Sequence, residues 1–274
     1  MLDERDARKQ EHAPARARGH SKTLSSLTTA LRVLQCFSME EPELGVTEIA
    51  QRLGVGKSTV HRILVTLEES GFVRKDETTR RYRLGLSVLT LGGILMSNLE
   101  IYREGQHLLE SFVNRFDETV HLAVLEGFNT VYVSKIESKH PVPMLTHLGR
   151  KNPLHCTSSG KAILAFQDKE MIDEVIRRGL TRYTRTTITD PVRLHQHLEE
   201  IRQKGFATSE GELRDGVSSV AVPVRDYTRR VIGAVTVVGP TYRFTPNKVD
   251  AFARQLIDVG AEISKRLGYY VRRR

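Results

Sequence analysis

No apolar run in the 274-residue sequence approaches the ~20 residues that a membrane-crossing helix requires, so no membrane partner is expected. The first 22 residues are charged and lack the apolar middle of a secretory signal. Cysteine is nearly absent: Cys36 and Cys156 stand far apart and read as reduced, buried residues rather than a disulfide framework, which fits a cytoplasmic protein. No cysteine or histidine cluster has zinc-site spacing. His195 and His197, two apart on a predicted helix, do not face one another, so neither metal nor cofactor is expected. What is present is an ordinary globular composition, 39% hydrophobic and 27% charged, with a formal net charge of +9 and a pI near 9.7. That balance favours polyanionic partners.

The chain is long enough for two domains. Residues 1–22 read as a disordered tail rich in charge. Ser25 or Ser26 begins a first helix whose apolar face is Leu27, Leu31, Leu34 and Phe37. A second helix follows Thr47 as cap and buries Ile49, Ala50 and Leu53, and Gly54 ends it. A third spans residues 57–70, with Val60, Ile63, Leu64 and Leu67 inward. Strands at 72–75 and 81–84 flank a polar turn. These elements make up a first domain at 23–85. Residues 86–100 form a linker helix; its strongly apolar stretch at 86–97 must be covered, either by the rest of the chain or by a second subunit. Residues 101–270 form the second domain. Helices are expected there at 101–116, 158–166, 169–178, 191–204 and 246–267. Strands are expected at 120–125, 130–136, 144–146, 206–210, 219–224 and 231–238. Thr189 or Asp190 as cap, with Pro191 in the first turn, makes the start of the helix at 191 well marked. The fold class is α+β, with a mainly antiparallel sheet.

Three short helices and a hairpin within about 60 residues read as a winged helix-turn-helix. The turn Leu53-Gly54-Val55-Gly56 projects the third helix, whose outer face carries Lys57, Ser58, Thr59, His61 and Arg62. These side chains suit phosphates and base edges in a major groove. The hairpin adds Arg80, Arg81 and Arg83 for a neighbouring backbone or minor groove. A solvated basic helix is the bland alternative, but here the element order and the placement of charge agree. Gly54-Val55-Gly56-Lys57-Ser58-Thr59 mimics a phosphate-binding loop and fails as one, because Gln51 stands where the first glycine belongs and a helix, not a strand, precedes it. The segment Ser158-Ser159-Gly160-Lys161-Ala162 fails likewise: His155 replaces the glycine and Ala162 the hydroxyl.

Ala30-Leu31-Arg32-Val33-Leu34-Gln35-Cys36-Phe37, Val46-Thr47-Glu48-Ile49-Ala50 and Gly56-Lys57-Ser58-Thr59-Val60-His61-Arg62-Ile63-Leu64 occur in that order. Leu67-Glu68-Glu69-Ser70-Gly71-Phe72-Val73 and Tyr82-Arg83-Leu84-Gly85 follow. The second half contributes Asn152-Pro153-Leu154-His155-Cys156-Thr157-Ser158-Ser159-Gly160-Lys161-Ala162 and Val220-Ala221-Val222-Pro223-Val224. In this order and spacing the chain resembles the IclR-type bacterial regulators over about residues 26–267. The resemblance implies a winged helix-turn-helix head, a linker helix, and an effector-binding domain similar to the GAF and PAS type. It further implies homodimers or homotetramers on palindromic operator DNA that respond to small, often carboxylated, metabolites, whether as repressors or activators of a catabolic operon. In the family's pattern the pocket-lining positions are Met144, Ser158, Ser159, Ser219 and Thr236, with Ser209 a further polar position.

Read from the residues alone, the helix beginning at Ser158 would offer free N–H groups and a positive dipole end to an anion. The alternative function is a sensor-domain enzyme with an accessory DNA-binding head. Its best candidates, His155 and Cys156, are adjacent on an extended chain and point to opposite faces, so a structural role is expected for them.

Overall fold

The computed structural model describes residues 25–140 and 147–270; the tail expected at 1–22 and the strand expected at 144–146 lie outside them. The chain divides into two compact units, Met1–Leu91 and Gly92–Arg274.

The first unit runs α1 (Ser25–Leu34), β1 (Glu43–Leu44), α2 (Val46–Leu53), α3 (Lys57–Glu69), β2 (Val73–Lys75) and β3 (Tyr82–Leu84). Val33, Leu44, Ile49, Val60, Leu64, Val73 and Tyr82 form its core. The inward face of α1 differs from expectation. Leu27 and Leu31 are 56% and 53% exposed, whereas Val33 is fully buried and Leu34 and Phe37 pack beside it. The helix carries two adjacent apolar rows, and α2 and α3 close over the one through Val33. The start of α2 also differs: Gly45, not Thr47, is the cap. The Glu48 carboxylate accepts the Gly45 N–H at 2.7 Å, which fixes Glu48 in the first turn and starts the helix earlier. Gly54 ends α2 at φ 67°, a left-handed conformation that favours glycine, and Val55 and Gly56 then lead into α3. β1, unanticipated because it is two residues long, pairs with β3 (Leu44↔Tyr82), giving a sheet of order β1-β3-β2.

Helix α4 (Leu86–Asn98) follows, and the boundary between the units falls within it. None of its residues is buried; Leu86 and Leu89 are 80% and 71% exposed, and Leu91, Ile94 and Leu95 are exposed too.

The second unit comprises α5 (Glu100–Phe116), β4 (Thr119–Glu126), β5 (Asn129–Ile136), β6 (Lys151–Pro153), α6 (Ser158–Leu164), α7 (Lys169–Arg177), α8 (Pro191–Lys204), β7 (Ala207–Glu210), β8 (Val217–Arg225), β9 (Val231–Pro240) and α9 (Pro246–Arg266). Asp190 caps α8, its carboxylate accepting the Arg193 N–H, and Pro191 occupies the first turn. The sheet is antiparallel, ordered β6-β5-β4-β9-β8-β7. Alternation along the strands gives it two unlike faces. Val120, Leu122, Val220, Val222, Val235 and Val237 point to one side, where Leu109 and Phe112 of α5 and Phe252, Leu256 and Ile263 of α9 cover them. The intervening residues face α6, α7 and α8 and include Ala207, Ala221 and Ala234. This second face carries the polar side chains considered next.

Candidate functional site

Lys57, Ser58, Thr59, His61 and Arg62 are all exposed on α3, opposite the buried Val60 and Leu64. The first turn of α3 bears no acidic residue, so its positive dipole end and Lys57 lie together. On the hairpin, Asp76 accepts the N–H groups of Thr78 and Thr79 and sets the turn, and Arg80 adopts φ 59° at its end. Arg80 is exposed and pairs with the exposed Glu77. Arg81 is differently engaged. Its guanidinium donates to the Glu48 carboxylate at 2.7 Å and to the Glu43 carbonyl at 3.1 Å, tying the hairpin to α2. Those bonds, led by the Gly45 N–H, hold the Glu48 carboxyl below its ordinary range. Arg74, not singled out by sequence, is exposed and lies opposite Arg83 in the β2–β3 register, so both guanidiniums leave the same face of the hairpin.

In the second unit, Thr157 rather than Ser158 or Ser159 caps α6: its hydroxyl accepts the Gly160 N–H at 3.0 Å. Gly160 is required there, because a Cβ would stand 2.5 Å from the Leu154 carbonyl oxygen. With capping done by Thr157, the buried Ser158 and Ser159 are free for other contacts. Ser158 donates to the Ser219 hydroxyl on β8 at 2.7 Å. Ser159 lies within hydrogen-bonding reach of the Tyr132 phenol on β5. Two adjacent residues thus reach strands that flank the central pair β4 and β9. At this level of the central pair stand His121 and Thr236, which are register partners on the same face. The His121 ring stacks on Tyr132, with centroids 4.4 Å apart and planes 13° from parallel.

Both ring nitrogens of His121 and the Thr236 hydroxyl are buried and have no hydrogen-bond partner among the described residues. Each such group costs about 1–3 kcal/mol unless something supplies the bond. Burial, reinforced by the Lys135 charge, pushes the imidazole down to about 3, so it is neutral at physiological pH. Ser209 lies opposite Ser219 on the same face, its hydroxyl donating to the Cys156 carbonyl at 3.4 Å. Ser209, Ser219 and Thr236 therefore lie on one sheet face, with Ser158 of α6 bonded to Ser219 and Ser159 beside it; Met144 lies outside the described residues. Sequence reasoning missed His121 and Tyr132. Neither carries a local signal that sets it apart within its own strand, and only the pairing of distant strands brings them to the others.

A hollow of about 350 Å³ opens on the opposite face, lined by Val222, Pro223, Ile257, Ala261, Tyr269 and others, and it contains none of these groups. Cys156 and His155 do not form a nucleophile and base. Burial, reinforced by Glu212, pushes the thiol up to about 12, and the His155 Nε2–H is directed to the Thr181 carbonyl at 3.0 Å. No helix among the described residues is long and apolar enough to cross a membrane.

The two units match two family models. Residues 26–77 match the IclR helix-turn-helix domain, and residues 94–265 match the bacterial transcriptional regulator IclR C-terminal domain. The chain is 31% identical to the HTH-type transcriptional regulator KdgR of Escherichia coli over 249 residues, covering 90% of this chain and 94% of that one. An IclR transcriptional regulator from Alicyclobacillus acidocaldarius superposes with a TM-score of 0.81 at 30% identity, covering 90% of this chain and all of the other. An IclR homologue from Microbacterium hydrocarbonoxydans, solved with 4-hydroxybenzoate, gives a TM-score of 0.78 at 25% identity, covering 89% and 99%. With a reading helix on one unit, a polar sheet face on the other and a family match to each, the chain belongs to the IclR family of bacterial transcriptional regulators.

Proposed function

We propose that this DNA-binding regulator controls a catabolic operon in the cytoplasm and responds to a small carboxylated metabolite. Operator DNA is contacted by Lys57, Ser58, Thr59, His61 and Arg62 on α3 and by Arg80 on the hairpin, with Arg74 and Arg83 beside it. Arg81 acts chiefly by holding the hairpin to α2. The metabolite binds against Ser158, Ser159, Ser209, Ser219 and Thr236, with Met144 an expected neighbour. The observation that carries the ligand reading is the buried His121–Thr236 pair, which has no partner among the described residues: buried polar groups are ordinarily paired, and a bound ligand would pair these. The homologue solved with 4-hydroxybenzoate supports the same class of ligand. The exposed leucines of α4 support a homo-oligomer, since a helix this apolar is covered in a working protein.

Fluorescence anisotropy with DNA from upstream of the protein's own gene tests the reading. Binding is expected to exceed that to a scrambled duplex by at least about a thousandfold and to weaken steeply with salt. Equal affinity for both duplexes would overturn it.

A further inference from the structure

Strand β7 is shorter than its neighbour. Its pairing with β8 stops at Ala207↔Ala221, while β8 continues to Arg225, so residues 222–225 have no paired strand on that side. Pro223 lies in this open stretch, where a residue without an N–H is tolerated and an added strand is discouraged. Helix α9 runs beside it and comes close because of Gly260, whose Cβ would stand 2.8 Å from Val222 Cγ2. Between them lies the hollow of about 350 Å³, at the lower end of the range for small-molecule pockets. Ile257, Ala261 and Lys265 line it at four-residue intervals on α9, a row about 12 Å long. The row has a polarity, with exposed apolar Ile257 at one end and Lys265 at the other. Arg225 joins the lysine end, because its backbone N–H donates to the Ser264 hydroxyl at 3.0 Å. Its guanidinium lies over the rings of Phe166 at 4.5 Å and Tyr269 at 5.8 Å, and donates to the Arg229 carbonyl at 3.1 Å. Among the described residues no carboxylate pairs with Arg225, and none of those lining the hollow is acidic. Lys265 is 3.7 Å from Glu262, a loose and exposed pair. The Ser264 hydroxyl is already spent on the Gly260 carbonyl at 2.6 Å.

We propose that this hollow is a second ligand site, for a medium-chain aliphatic carboxylate whose chain lies along Ile257 and Ala261 and whose head meets Arg225 and Lys265. Apolar walls that end in two cations select an amphipathic anion, and the volume suits a small molecule. Pro223 stands against a protein strand at the open edge of β8. The hollow lies on the Val222 face of the sheet, opposite Ser209, Ser219 and Thr236, so the site is separate from the effector patch and does not depend on it.

Isothermal titration of the full chain with octanoate, octylamine and acetate tests this. Octanoate is expected to bind once per chain. Octylamine should bind at least about tenfold more weakly, since its charge meets Arg225 and Lys265, and acetate should give no measurable binding, having no chain to bury. Ala261→Phe fills the hollow from an exposed helix position. It is expected to weaken octanoate at least about tenfold while the melting temperature stays within about 2 °C and operator affinity is unchanged. Arg225→Gln and Lys265→Gln should each weaken octanoate about three- to tenfold. The exposed Lys265→Gln keeps the test decisive should Arg225→Gln not fold. Ser219→Val, on the other face of the sheet, should leave octanoate affinity unchanged. Four results would overturn the proposal: no octanoate binding, equal affinity for octylamine, undiminished affinity in Ala261→Phe or Lys265→Gln, or a loss in Ser219→Val. The last would place octanoate in the effector patch instead.

Discussion

Lys161, wholly buried in α6, is neutralised by the carboxylate of Glu212, a residue of the β7–β8 connection, and its ammonium also meets His197 Nε2 at 3.1 Å. Burial lowers the lysine and raises the glutamate, and each charge counters the effect on the other. The Glu212 carbonyl accepts the Thr187 hydroxyl at 2.6 Å, so the pair joins three segments of the second unit. Removing one partner leaves a buried charge. Lys161→Met is expected to destabilise the protein by about 3–5 kcal/mol, and Lys161→Met with Glu212→Leu by clearly less. Urea unfolding of the two variants measures this. A double variant no more stable than the single one would show that the lysine acts through packing.

The two arginines Arg62 and Arg81 should separate cleanly. Arg62 is exposed on α3, and Arg62→Ala should cost operator affinity about tenfold without lowering the melting temperature. Arg81→Ala removes the bonds to Glu48 and the Glu43 carbonyl, so its first effect should be on stability, on the order of 1 kcal/mol. Anisotropy and calorimetry on both variants check this; a stable Arg81→Ala protein with lost binding would make Arg81 a direct contact instead.

Acid should destabilise the second unit earlier than carboxylate chemistry alone would predict. Unfolded, His121 takes up a proton near its ordinary value of 6.5; folded, it stays neutral down to about 3. Within that window the unfolded chain binds more protons. Its contribution is therefore full above pH 6.5 and is lost as pH falls, at up to about 1.4 kcal/mol per pH unit. His197, held down to about 4 first by burial and then by Lys161, acts in the same direction. Urea midpoints between pH 8 and pH 5 should fall less steeply in His121→Phe than in the parent. Parallel curves would place the titration elsewhere.

The α4 leucines predict association. Leu89→Glu places a charge on a side chain that is 71% exposed in the single chain, so the monomer's stability should change by less than about 0.5 kcal/mol. If the helix is covered by a second copy, light scattering should show the mass falling to that of a smaller species. An unchanged mass would remove α4 from the interface.

Most of the fold was legible from residues with a local physical effect. Asp190 and Pro191 mark the start of α8, and Gly54 marks the end of α2. In the strands, alternating apolar residues told where chain runs through the sheet, and Ser209, Ser219 and Thr236 do share a face. The errors arose where one residue type fits two arrangements and a specific partner decides between them. Leu27 and Leu31 satisfy a helical apolar stripe as well as Val33 does, and only the position of α2 and α3 selects between the rows. Thr47 is as good a cap by type as any, but Glu48 reaches back to the Gly45 N–H and moves the helix start. Arg81 reads as free charge until Glu48 is brought against it. His121 was invisible for a related reason: nothing within its own strand shows whether a histidine finds a hydrogen-bond partner, and that it has none among the described residues is a property of the assembled sheet.

The register of β4 with β9 also has a kinetic consequence. His121 and Thr236 meet only when strands more than 100 residues apart in sequence pair at the centre of the sheet. Non-local pairings of this kind are slow, because the closure of a long intervening loop must precede any reward from contact. The helices α6, α7 and α8 and the β7–β8 hairpin can form locally beforehand, but the patch cannot. The patch therefore cannot exist before the central pair has closed, whatever the rest of the sheet has already formed.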